Sequence, residues 1–197
     1  MSDGMRHRFI DGETIYLRPL EMADVDGGYL SWVNNAELGR FMSSMVFPSS
    51  RRRLEKYVAA QLDDPSIVFF AVCDKQTDEH VGNIKLGPIN WPSRKAEYGR
   101  LFGPAARGKG FGSEAVRLVL RYAFEVLGLN KVTAGCISTN KGAIRSNEKG
   151  GLKVEAVLRQ EEYVDGRYAD GVRMGLTRDQ YYAEIKAEPM PEERPRD

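Results

Sequence analysis

The chain has 197 residues and a mass of 22.1 kDa, the size of one ordinary domain with room for a substantial apolar core. Hydrophobic residues make up 42% and charged residues 29%, proportions that exclude a largely disordered chain, a collagen-like repeat and a coiled-coil rod. Lys and Arg number 29 against 28 Asp and Glu, so the net charge of +1 provides no global field for nucleic acid or an anionic membrane, and any anion site must be local.

Thr14 to Leu17 reads as an opening strand, and Val25, Tyr29, Trp32 and Val33 recur at helical spacing behind an Asp24 cap. Ser49 or Ser50 caps a second amphipathic segment, with Leu54, Tyr57, Val58 and Leu62 on one face and Asp63-Asp64-Pro65 as its stop. Ile67 to Cys73 and Val81 to Leu86 are predicted strands joined by the polar turn DKQTDEH, a pattern that predicts antiparallel pairing. Lys95 to Phe102 is a further strand, and a Gly-rich run follows it. Val116, Val119, Leu120, Ala123 and Leu127 then mark a long helix that stops at Gly128.

Lys131 to Ile137 is again a strand, Lys141 to Lys149 a short helix closed by Gly150-Gly151, and Lys153 to Tyr163 a strand. Asp165-Gly166 turns the chain into a last strand, Arg167 to Leu176. Strand and helix alternate in this half, which implies crossovers and partly parallel pairing. The tail EPMPEERPRD, with three prolines among charges, reads as disordered.

No stretch approaches the roughly 20 apolar residues of a membrane span, and the N-terminal MSDGMRHRFIDGE lacks a signal-peptide core; a soluble cytoplasmic protein is expected. Cys73 and Cys136 sit in apolar strand-like runs and are expected as reduced core thiols. His7 and His80 are isolated from other ligand types, so no metal is expected.

The chemistry concentrates in Gly103-Pro-Ala-Ala-Arg-Gly-Lys-Gly-Phe-Gly112, between a strand and a helix. Glycines at 108, 110 and 112 let main-chain N–H groups turn toward a common point, and the following helix adds free N–H groups and the positive end of its dipole. Arg107 and Lys109 add charge. A dinucleotide fingerprint would need glycine where Ser113 stands, and a P-loop would need a hydroxyl residue where Gly110 stands.

Arg107-Gly-Lys-Gly-Phe-Gly112 is instead similar to the [QR]-x-x-G-x-[GA] motif of the GNAT superfamily of acyl-CoA N-acyltransferases. Asn140-Lys-Gly-Ala-Ile-Arg-Ser-Asn-Glu-Lys-Gly-Gly-Leu152 resembles the superfamily's N-x-x-A-I-x-x-Y-x-K-x-G-F helix, and Ile15-Tyr-Leu-Arg-Pro-Leu20 its first strand. The resemblance spans Ile15 to Leu176. It implies a single α+β domain over residues 1–186 followed by the tail 187–197, with a mixed central sheet of about seven strands flanked by helices, and neighbouring parallel strands splayed to admit the cofactor.

It further implies that main-chain N–H groups of Arg107, Gly108, Lys109, Gly110, Gly112 and Ser113 hold the pyrophosphate of acetyl-CoA. The strand end Leu101-Phe102-Gly103 would pair with the pantetheine arm, with one N–H there polarising the thioester carbonyl. Asn140 would bond the arm from the other side, or serve as the cap of the helix starting at Lys141. Many relatives carry at position 147 a tyrosine placed to protonate the departing sulfur. Asn147 has no proton to give, but retains the capacity to hydrogen-bond the cofactor.

An alkyl amine near pKa 10.4 must lose a proton before it attacks, whereas a thiol near 8.5 leaves easily, so a base matters more than an acid. Glu97 is the candidate base, where some members of the superfamily carry a catalytic glutamate. In a regular strand it lies about 13 Å from Leu101, so a water relay or a bulge is required. The overall pattern resembles the ribosomal-protein and small-amine branch, and more loosely the amino-sugar acetyltransferases. A nucleotide-linked amino sugar would draw on Arg51, Arg52, Arg53, Trp91, Arg94 and Tyr98; a polyamine or peptide N-terminus would draw on Glu161, Glu162, Asp165 and Asp170. A homodimer through the C-terminal hairpin is compatible with this pattern.

Overall fold

The computed structural model describes residues 7–42 and 45–186; the expected disordered tail lies outside them. The chain runs β1 (Ile10–Asp11), β2 (Ile15–Pro19), a 3-10 turn (Met22–Asp26), α1 (Gly28–Val33), α2 (Ala36–Gly39), α3 (Arg51–Leu62), β3 (Val68–Asp74), β4 (His80–Leu86) and β5 (Lys95–Phe102). It continues through α4 (Phe111–Arg121), β6 (Lys131–Ile137), α5 (Lys141–Lys149), β7 (Lys153–Val164) and β8 (Arg167–Thr177).

The strands form one eight-stranded sheet in the order β1-β2-β3-β4-β5-β6-β8-β7. One strand more than expected is present because the two residues of β1 pair antiparallel with β2. All neighbours are antiparallel except β5 and β6.

Strand alternation distributes two cores over the two faces of the sheet. On one face Phe70, Val72, Ile84 and Tyr98 pack with Val116 and Phe124 of the α4 region. On the other Tyr16, Phe69 and Leu101 pack with Tyr29 and Trp32 of α1 and with Leu54 and Val58 of α3. β3 is buried on both faces, which explains why its sequence reads as an unbroken apolar run. Tyr57 and Leu62, expected on the buried side of α3, remain 41% and 40% exposed, because only Leu54 and Val58 of that helix reach the core.

Asp24 does not cap the helix that runs to Val33. It lies inside the 3-10 turn, where its carboxylate takes bonds of 2.8 and 2.6 Å from the buried Arg18 guanidinium and of 2.8 Å from the Glu21 N–H. Burial alone would raise its pKa; these donors bring it below the usual carboxylate range. Among the described residues no helix is long and apolar enough to cross a membrane.

Candidate active site

β5 positions the site. Pairing with β4 runs from Gly82↔Phe102 to Leu86↔Tyr98 without a register shift, and Gly103 N–H reaches Val81 O at 2.9 Å while Gly87 N–H reaches Glu97 O at 2.8 Å. In an antiparallel ladder these bonds fix the phase: the main-chain groups of Glu97, Gly99, Leu101 and Gly103 face β4, and those of Arg100 and Phe102 face the other way. On that other side, parallel pairing with β6 covers only Lys95↔Lys131, Ala96↔Val132 and Glu97↔Thr133. Past Glu97 the strands separate, and the N–H groups of Arg100 and Phe102 look into the gap. The expected splay is therefore present. Within Leu101-Phe102-Gly103, however, only Phe102 offers its N–H to it, with Arg100 as the second, unforeseen donor.

Asn147 of α5 closes the bottom of the gap. It is 1% exposed; its Oδ1 accepts from Tyr98 Oη at 2.8 Å and Arg100 Nη1 at 2.6 Å, and its Nδ2 donates to Cys136 Sγ at 3.2 Å. Its amide is thus engaged inside the protein, tying α5 to β5 and β6, and the expected hydrogen bond to the cofactor has no free donor or acceptor of the usual kind to use. Burial pushes Tyr98 up to about 12 and also raises the Cys136 thiol, with the Arg100 charge pulling both the other way. Cys136 is half-buried and lines the cleft, so it is less enclosed than a core thiol, whereas Cys73 is fully buried.

The Gly-rich loop follows β5 through a 3-10 turn, Pro104–Ala106, into α4. Gly108 and Gly110 adopt φ of 77° and 80°, a left-handed conformation that residues with a Cβ resist. The N–H groups of Arg107, Lys109 and Ser113 are spent within the loop, on Pro104 O at 3.1 Å, Ala106 O at 3.3 Å and Gly110 O at 3.0 Å. Among the described residues the N–H groups of Gly108, Gly110, Phe111 and Gly112 bond no acceptor, and they sit at the N-terminus of an eleven-residue helix. Four unbonded amides at a helix start suit a diphosphate. Of the six amides expected there, those of Gly108, Gly110 and Gly112 are unbonded, and the Phe111 N–H joins them.

The cationic side chains of the loop point to carboxylates: Arg107 Nη2 lies 3.3 Å from Glu37, and Lys109 Nζ donates to Asp74 at 3.3 Å. Ser113 Oγ bonds Ser146 Oγ at 3.2 Å, linking α4 to α5 beside the loop. Asn140 caps α5, its Oδ1 accepting from Ala143 N–H at 3.0 Å, while its Nδ2 makes no hydrogen bond among the described residues and it lines the cleft. Capping and a ligand contact are thus compatible in one side chain.

Loop, gap and α5 enclose a cleft of about 740 Å³. At the end away from the loop it is lined by Glu97, Glu161, Glu162 and Arg173. Arg173 bridges two of these carboxylates, Glu161 at 3.1 Å and Glu97 at 3.7 Å. The cations proposed for a nucleotide-linked amino sugar do not converge here. Arg51 binds Asp26 and Glu55 on the surface of α3, Arg94 donates to Gly128 O at the far end of β5, and Arg52, Arg53 and Trp91 do not line the cleft. Tyr98 does line it, but its hydroxyl is committed to Asn147. Asp165 pairs with Arg40 and Asp170 accepts from Gln160 N–H, so of the four acids named for a cationic acceptor only Glu161 and Glu162 line the cleft.

A splayed parallel pair, an amide cradle at a helix start and a cleft between them fit an acyl-CoA N-acyltransferase, and the family match and a CoA-bound relative supply the class and the donor, acetyl-CoA. Residues 14–153 match the acetyltransferase (GNAT) domain family, and the chain belongs to it. The chain is 31% identical over 174 residues to spermidine N(1)-acetyltransferase of Escherichia coli K12, covering 88% of this chain and 91% of that one. It is likewise 31% identical over 170 residues to a prophage-derived uncharacterized N-acetyltransferase of Bacillus subtilis, covering 86% and 93%. The crystal structure of spermidine N-acetyltransferase from Vibrio cholerae in complex with CoA and spermine superposes with a TM-score of 0.78 at 28% identity, over 86% of this chain and 99% of that one.

Arg100, Arg173 and the Phe111 N–H escaped the sequence reading. An arginine inside the strand that feeds the Gly-rich loop was the available signal for Arg100; Arg173 lies in a distant strand and is brought in only by the β6-β8 pairing.

Proposed function

We propose that the protein transfers the acetyl group of acetyl-CoA to a terminal primary amine of a linear polyamine such as spermidine. The observation that carries this reading is the acidic lining at the acceptor end, where Glu97, Glu161 and Glu162 face the cleft and a single arginine bridges two of them. A flexible polycation is recognised by spaced carboxylates instead of by a shaped pocket. The relatives named for spermidine, and the solved one holding spermine, support the same acceptor class. The cytoplasm is the compartment in which this reading places the reaction.

In this reading the N–H groups of Gly108, Gly110, Phe111 and Gly112 hold the diphosphate, and those of Arg100 and Phe102 hold the arm that carries the thioester. One of these strand amides polarises its carbonyl. Glu97 serves as base. β5 is regular up to Phe102, so no bulge shortens the path; Glu97 lies about 10 Å along the strand from Arg100, and a water relay carries the proton.

The test is an acceptor panel of spermidine, spermine, a simple alkylamine, peptide N-termini and a nucleotide-linked amino sugar, with released thiol as the readout. Polyamines should exceed the alkylamine in kcat/KM by about 100-fold at low salt, an advantage that shrinks as salt screens the carboxylates. A polyamine no better than the alkylamine overturns the reading.

A further inference from the structure

Neither the diphosphate cradle nor the acidic end explains Arg100. It stands inside β5 and reaches α5, donating from Nη1 to Asn147 Oδ1 at 2.6 Å and from Nη2 to Ala143 O at 3.1 Å. These acceptors and a third, Tyr98 Oη at 3.3 Å from Nη1, are neutral, and among the described residues no carboxylate pairs with it. Arg173, Arg107 and Arg18, by contrast, each have an acidic partner. A half-buried guanidinium whose acceptors are all neutral has no counter-charge, a state that favours an arriving anion.

The position of that charge narrows the anion. Arg100 lines the same cleft as the cradle, and the alternation of β5 puts its side chain on the face opposite Glu97. The base and the cation therefore flank the gap from opposite sides of the sheet. Neither polar side chain that the Arg100 guanidinium touches supplies a proton to sulfur: Tyr98 gives its hydroxyl proton to Asn147 Oδ1, and Asn147 has no acidic proton.

We propose that Arg100 is a catalytic residue that receives the sulfur of coenzyme A as a thiolate. The amine nitrogen forms its bond to the acyl carbon and the carbon–sulfur bond breaks, its electron pair remaining on sulfur beside the guanidinium. The proton lost by the amine passes to water at the Glu97 side, and the thiolate takes up a proton only after it leaves. The inference rests on acetyl-CoA as donor and is independent of which amine accepts.

The experiment titrates the thiol of bound coenzyme A by ultraviolet thiolate absorbance, taking the difference between the coenzyme A and desulfo-coenzyme A complexes to remove the signals of Cys73, Cys136 and the tyrosines. In the wild-type protein the bound thiol should titrate at least one unit below the free value of about 8.5. Arg100→Gln should return it toward that value, a tenfold or greater loss of thiolate at a given pH, with coenzyme A affinity changed less than about threefold; Arg100→Lys should fall between. An arginine that merely braces α5 would lower turnover in Arg100→Gln and leave the thiol titration unmoved, which overturns the proposal. If Arg100→Gln does not fold, the wild-type titration decides alone: a bound thiol at the free value overturns it equally.

Discussion

The two ends of the cleft present different kinds of group. At the loop end the donors are main-chain N–H groups of Gly108, Gly110, Phe111 and Gly112, held by left-handed turns and a helix start, while the nearby Arg107 and Lys109 side chains are turned to carboxylates. At the acceptor end β5 and β6 have parted, and the lining is side-chain charge: Glu97, Glu161, Glu162 and Arg173. A site made of backbone depends on φ and tolerates changes of side chain; a site made of side chains does the reverse. Donor and acceptor selectivity should accordingly separate under mutation.

The largest separation is expected from Gly110→Asp. The substitution places a Cβ at φ 80° and a negative charge at the start of α4, where the diphosphate is to be held. Coenzyme A affinity should fall by 100-fold or more in calorimetry. Space is not the cause, since a Cβ at Gly110 meets no atom within 4 Å. Retained affinity would mean that the loop amides do not carry donor binding.

That the loop end was legible as one motif, and the far end only as separate acids without their meeting or Arg173, follows from the same contrast. A backbone cradle must announce itself as closely spaced glycines before a helix, and the alternation of strands and helices fixed the parallel pair that opens beside it. Which amides stay unbonded could not be read, because the 3-10 turn consumes those of Arg107 and Lys109 and helix geometry that of Ser113. Asn147 looked like a cofactor contact by position, yet Tyr98 and Arg100 claim its oxygen. Asp24 looked like a helix cap until Arg18, six residues earlier, claimed its carboxylate. The acceptor end draws Glu97, Glu161 and Arg173 from three strands, and no local pattern records that meeting.

A second, smaller effect should fall on the other side of the comparison. Glu97→Gln keeps the volume of the side chain and removes both the proposed base and a partner of Arg173. Turnover should drop about 100-fold at saturating acetyl-CoA, with coenzyme A affinity within about twofold of wild type, because Glu97 has its main-chain groups turned to β4 and its side chain at the far end of the cleft. Equal losses in turnover and in coenzyme A affinity would show that the two ends are not separable.

The smallest expected effect sharpens what the backbone does. Gly112 lies in the first turn of α4, not in a left-handed conformation, and a Cβ there would stand 3.6 Å from Ser146 Oγ and 3.7 Å from the Phe102 ring, ordinary contact distances. Gly112→Ala therefore keeps the N–H, fits without displacing a neighbour, and reduces the freedom of the unfolded chain. It should stabilise the protein by about 0.4–1 kcal/mol, read as a small rise in Tm, and leave coenzyme A affinity within about threefold. If affinity collapses while Tm rises, the donor must approach the bare Cα of Gly112 more closely than a hydrogen bond to its N–H requires. The loop end would then select by steric fit as well as by its amides.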